Sequence, residues 1–159
     1  MGGSTRSAEL ARRFEEMHAE VLGFAEGCSD ADWRVGCEGS RTVGIVVDHI
    51  GQGYDQLVGW LGGYLEGRPV PQTPEDIDAD NEVHARAVAD RSRTETLEAL
   101  RSRASRTSTF IRSLDDDQLG ITMPMKLAGG APISADQLVK ILGRHTSGHL
   151  VSCREALAR

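Results

Sequence analysis

Several features are missing from this sequence, and each absence removes a class of function. No run of about 18 apolar residues occurs, so no segment qualifies as a membrane span. The start, Met1-Gly2-Gly3-Ser4-Thr5-Arg6, lacks the apolar core of a secretory signal. No lysine- and arginine-rich run is present, and the formal charge over 159 residues is −6. The electrostatic footprint of a nucleic-acid binder is therefore absent. The three cysteines, Cys28, Cys37 and Cys153, include no C-x-x-C pair. Their odd number argues against a disulfide framework and for free thiols in a reducing compartment. Lysine is scarce too: only Lys126 and Lys140 stand among the 18 basic residues, a bias typical of a high-GC genome. The expectation is a cytoplasmic protein without nucleic-acid or membrane partners.

The length suits one domain spanning residues 1–159, large enough to bury roughly two-thirds of its unfolded surface. From Ser7 to Ala25 apolar residues recur every three or four positions (Leu10, Phe14, Met17, Val21, Phe24), the period of an amphipathic helix. His18 lies beside that stripe and reads as a surface or boundary residue. Residues 26–39 are loop chemistry, carrying Cys28, Cys37 and Trp33, the aromatic expected to plug one end of the core. Ser40 or Thr42 can cap a second helix running to about Glu66, with Val46, Ile50, Leu57, Leu61 and Tyr64 on its apolar face. Its many glycines argue either for close packing or for open space beside His49, near Gly53.

An extended connection is expected over 67–80, where Pro69, Pro71 and Pro74 restrict φ, followed by a short helical piece over 81–90 with His84 exposed. Ser92 and Glu95 form a capping-box pattern ahead of a third long helix, marked by Leu97, Leu100, Ala104, Ile111 and Leu114. Asp115, Asp116 and Asp117 read as a solvated turn. After a second connection over 120–132, Ser134 and Gln137 open the fourth helix, with Ile133 and Leu138 as its hydrophobic staple. The expected fold is all-α, a four-helix bundle with long connections after the second and third helices.

The fourth helix carries the chemistry. His145 and His149 stand at i and i+4, one turn apart on one face, and that face is shared with Leu138, Ile141, Leu142 and Ala156. Such a pair suits a shared metal ion, and equally two polar residues satisfied by neighbours. On the second helix, His49 lies about 60° from Val46 and about 40° from Gly53 at 100° per residue, so it also looks inward. In a four-helix bundle, metal sites are built from side chains on facing helices. Three neutral imidazoles with an open position suit Zn²⁺ first, then Ni²⁺ or Fe²⁺. No inward carboxylate is evident to orient them. Asp48 points about 100° away from His49, and Cys153, i+4 from His149, reads as a small core residue.

The segment from Gly39 to Ile50, Asn81, and the segment from Arg144 to Leu150 resemble the DinB-like metalloprotein family, close to its mycothiol-dependent maleylpyruvate isomerase branch. The resemblance runs through nearly the whole chain. It departs at Gly39-Ser40-Arg41, where the family's usual tryptophan is missing, and in the glycine content of the second helix. It implies a four-helix bundle, often a homodimer, with one divalent metal on His49, His145 and His149. It also implies a metal-dependent thiol S-transferase, using a low-molecular-weight thiol such as mycothiol on a small electrophile. A metal-dependent hydrolase, or a non-catalytic bundle binding a metal or small molecule, remains an alternative. No catalytic residue beyond the three histidines is assigned.

Overall fold

The computed structural model describes residues 2–159. Four long helices build the molecule: α1 (Thr5–Gly27), α3 (Val43–Leu65), α5 (Arg93–Ser113) and α7 (Ala135–Leu157). Each packs on two neighbours, in the cyclic order α1, α5, α3, α7. The apolar stripes meet in one core that includes Leu10, Phe14 and Val21 of α1, Ile50 and Leu57 of α3, Leu100 and Ile111 of α5, and Leu138 and Leu150 of α7. The four-helix expectation holds.

Local chemistry fixes where the helices begin. Each first turn leaves amides without intrahelical acceptors, and a hydroxyl supplies one: Ser4, Thr42, Ser92 and Ser134 accept from Ser7, Ile45, Glu95 and Gln137. Of the two candidates before the second helix, Thr42 is the cap. The boxes at Ser92 and Ser134 form in both directions, since Glu95 and Gln137 accept from the amides of the cap residues.

The connections carry more structure than expected. The extended segment after α3 stops at Thr73, where a capping box with Asp76 starts α4 (Pro74–Ala87). This helix begins seven residues before position 81 because Pro74 sits at its first turn, where a missing N–H costs nothing. Within 26–39 lie α2 (Asp30–Trp33) and β1 (Gly36–Glu38), the latter paired antiparallel with β2 (Arg41–Thr42). Gly39, at φ 57°, makes the turn between them. Asp115 caps a single turn, α6 (Asp116–Leu119), so the three aspartates form a solvated turn as expected. The segment 120–132 contributes to a hairpin of β3 (Thr122–Met125) and β4 (Ala131–Ser134), in register from Thr122–Ser134 to Met125–Ala131.

Trp33 does close one end of the bundle, half-buried against the core and lying across Gly44 in the first turn of α3. A Cβ on Gly44 would stand 2.2 Å from the indole Nε1, with two further ring atoms within 2.6 Å. The indole cannot yield by rotating one terminal atom. Gly44→Ala is therefore expected to cost about 1–3 kcal/mol as an overpacking substitution, read as a lower urea midpoint. An unchanged midpoint would mean that the ring is not fixed there.

Candidate metal centre

The i, i+4 spacing on α7 and the inward position on α3 bring three imidazoles together. One ring nitrogen from each of His49, His145 and His149 lies within 4.8 Å of the other two. Ring centroids are 4.3 Å apart for His145 and His149, 4.8 Å for His49 and His149, and 5.4 Å for His49 and His145. The Nε2 atoms of His145 and His149 face each other at 3.1 Å. Two ligands of a tetrahedral Zn²⁺, each about 2.0–2.1 Å from the ion, stand roughly 3.3 Å apart, so the His145–His149 pair is spaced for a small divalent ion, with a His49 ring nitrogen within 4.8 Å of both.

The rings are held from behind. His49 Nδ1 is 2.9 Å from Gln52 Oε1, and His149 Nδ1 is 2.8 Å from Glu38 Oε1. Each Nδ1–H donates to an oxygen, which leaves the Nε2 lone pair aimed at the centre, the arrangement typical of metal-bound histidines. Burial pushes the His49 pKa down to about 4, with His149, His145 and Arg41 adding to the effect and the Gln52 bond opposing it. Burial also takes His145 to about 4, helped by His149 and opposed by Glu38. Both rings are neutral at pH 7, as metal ligands must be. Burial alone would raise the Glu38 carboxyl, but the His149 bond and the nearby Arg41 outweigh it and hold the group below its usual range. Glu38 thus accepts from His149 on one oxygen and from Arg41, at 2.7 Å, on the other.

Glu38 is the oriented carboxylate that the sequence did not reveal. It lies in a segment without periodicity, 111 residues from its partner, and gives no local signal. Gln52 gave one, because i+3 from His49 puts it on the same helix face. Asp48 does point away from His49, but into a second buried network. It accepts from His84 Nε2 at 2.9 Å, Arg91 at 2.9 Å and Thr96 at 3.0 Å, with Arg103 at 3.6 Å. His84 is therefore not exposed. Its side chain retains 11% exposure and ties α4 to α3, a role hidden while α4 was taken for a short surface piece. His18 is a boundary residue as expected, stacked near Phe14 and 3.4 Å from the Tyr54 hydroxyl, outside the triad.

The cysteines do not pair within their loop. Cys37 instead approaches Cys153, Sγ to Sγ 3.7 Å, while Cys28 donates to the Phe24 carbonyl. Cys153 is fully buried. Burial pushes all three thiols above the ordinary cysteine range, so none is an activated thiolate.

His49 is buried and His145, although its ring is desolvated, is the most accessible residue of the three, so the centre opens on the His145 side. Two clefts flank it, with α4 forming a wall of each. The N-terminal half of α4 faces an apolar cavity of about 340 Å³ that reaches His145. Gly53 lines it, and a Cβ there would touch Leu142 at 3.4 Å, so this glycine serves close packing as well as the cavity. The C-terminal half faces a polar cleft of about 810 Å³ that includes Glu38, Ser40, Arg41, Asn81 and Arg86. Among the described residues, no helix is long and apolar enough to cross a membrane.

Comparison with known proteins agrees with this architecture. A solved structure titled Sibling Lethal Factor Precursor, DfsB, superposes with a TM-score of 0.74 at 21% identity, covering 96% of this chain and 95% of that one. At that identity the likeness shows the fold. No curated protein sequence matches the chain. The family model of the DinB superfamily matches residues 13–151, a span that contains all three histidines and most of every long helix. With the bundle and that match in agreement, the chain belongs to the DinB superfamily.

Proposed function

We propose that the protein is a metal-dependent thiol S-transferase, in which His49, His145 and His149 hold one divalent cation, Zn²⁺ first and Ni²⁺ or Fe²⁺ as alternatives. The observation that carries this reading is three converging imidazoles, two of them held neutral by burial, in a protein whose own thiols are all kept protonated. A bound dication supplies Lewis acidity, which lowers the pKa of a thiol or a water molecule beside it. The protein offers no thiolate of its own, so the sulfur comes from a co-substrate. The incoming thiol gives up its proton to solvent water, its sulfur forms the new S–C bond, and the acceptor's leaving group departs with the electron pair of the bond that breaks.

The chain's residues bind and orient. Gln52 and Glu38 fix two rings, and Arg41 steadies Glu38. The polar cleft beside Glu38 suits a hydrophilic carrier of the thiol. Mycothiol is the thiol favoured by the high-GC composition and by the resemblance to the isomerase branch.

The test is thiol consumption with monochlorobimane as acceptor, using protein stripped by chelator and then reloaded with each metal. Thiol loss that needs both protein and metal is expected. Hydrolysis of ester substrates without thiol loss would replace transfer with hydrolysis. Absence of stoichiometric metal after reloading would leave the histidines a structural role. Glu38→Ala is expected to weaken metal affinity about 10–100-fold, and Glu38→Gln less, since its amide oxygen can still accept from His149. Competition against a chromogenic chelator measures both, and equal losses in the two variants would remove Glu38 from the orienting role.

A further inference from the structure

The cavity on the His145 side has a composition that selects its ligand. We propose that it is the acceptor subsite and that it takes an uncharged, largely apolar organic molecule of one or two rings. The role as acceptor site rests on the thiol-transfer reading, whereas the selectivity for uncharged molecules stands without it.

The walls are Leu57 and Trp60 of α3, Ile77 of α4, Leu127 of the hairpin, and Ile141 and Leu142 of α7, with His145 at the end nearest the metal centre. The indole N–H of Trp60 already donates to Gln72 at 3.0 Å, so it presents a hydrocarbon face. Gln56 is the one uncharged polar chain in the lining apart from the imidazole.

No lysine or arginine lines the cavity, and the nearest cations in sequence are turned elsewhere. Lys126 Nζ is 3.4 Å from the Pro71 carbonyl, Lys140 Nζ is 2.8 Å from Asp136, and Arg144 lines a separate groove with Phe14 and Met17. The single ionisable acid in the lining is Asp78, exposed on α4. A carboxylate entering here would shed its water, find no cationic side chain in the lining and meet Asp78. An uncharged ring would exchange water for apolar walls, the favourable direction.

The volume, about 340 Å³, lies at the small end of the roughly 300–1,000 Å³ typical of ligand pockets. Hydrogen-bonding chains gather instead on the other half of α4, around Ser40, Arg41, Asn81 and Arg86. The centre thus stands between a polar cleft and an apolar one, and the two differ in what they can hold.

Binding of methyl 1-naphthoate and of 1-naphthoate to the chelator-stripped protein tests this without turnover and without a metal cation for the carboxylate to ligate. The readout is the Trp60 indole N–H resonance, one of only two in the chain and assigned with Trp60→Phe. The ester is expected to shift Trp60, to leave Trp33 in place and to bind at least tenfold more tightly than the carboxylate. Ile77→Arg is expected to narrow or reverse that ratio. Leu127→Lys serves the same purpose if circular dichroism shows the first variant unfolded. Equal or tighter binding of the carboxylate to the wild type, or ester binding that leaves Trp60 unmoved, would overturn the proposal. Ester binding at Trp60 in a protein that transfers no thiol would overturn the reaction while supporting the selectivity of the cavity.

Discussion

His49→Ala is expected to abolish stoichiometric metal binding in a protein that remains folded. His49 is the one candidate ligand on α3, and without it the i, i+4 pair on α7 offers two donors and no facing partner. The variant strands Gln52 Oε1, half-buried behind the ring, at a cost of about 1–3 kcal/mol. That is tolerable for a bundle of this size. A metal bound at the proposed site would contribute more: a ligand at 1,000 times its Kd stabilises the folded state by about 4 kcal/mol, or roughly 8–16 °C in Tm at 2–4 °C per kcal/mol. Chelator should therefore lower the wild-type Tm strongly and leave His49→Ala unmoved, while elemental analysis falls from one ion per chain to near zero. His84→Ala is the control. Its ring lies only 6.0 Å from His49 but is engaged with Asp48, so metal content should persist. Retention of one tightly bound ion in His49→Ala would sink the three-histidine assignment.

Asp48→Ala is expected to be strongly destabilising, with little direct effect on the metal. The carboxylate is 1% exposed and joins three helices: its own α3, α4 through His84, and α5 through Thr96 and Arg103, with Arg91 arriving from the loop before α5. Removing one partner of a buried ionic network costs about 3–5 kcal/mol, because the remaining charges stay desolvated and unpaired. Arg91 and Arg103 keep 33% and 20% exposure, which lets water take over part of the loss and places the estimate at the low end of that range. A loss of about 3 kcal/mol corresponds to roughly 6–12 °C in Tm. The effect should also show as faster amide exchange in α4, none of whose residues is buried and which is tied to α3 through His84. A loss under about 1 kcal/mol, well below what a buried ionic network carries, would mean that the network is solvated in solution.

The difference between Asp48 and Glu38 shows what each level of structure specifies. Both are carboxylates beside a histidine system, and sequence reasoning could place only the first. Asp48 sits on a helix, where 100° per residue turns its position into a direction. Glu38 sits on a three-residue strand whose orientation is set by pairing with Arg41 and by packing against α7. The same contrast separates Cys28–Cys37, neighbours in one loop that do not meet, from Cys37–Cys153, which do.

The sequence alone determined the four long helices, the hydroxyl caps of the third and fourth, and the shared face of His145 and His149 with His49 turned inward. These follow from interactions within a few residues, namely apolar periodicity, capping and the stacking of i and i+4. Tertiary structure alone decided that Glu38 orients the His149 ring, that His84 is bound to Asp48, and that a polar and an apolar cleft flank the centre. Those features depend on side chains brought together from distant segments, such as Glu38 and His149, 111 residues apart. No periodicity encodes them, because the energy that fixes such contacts exists only once the helices have packed.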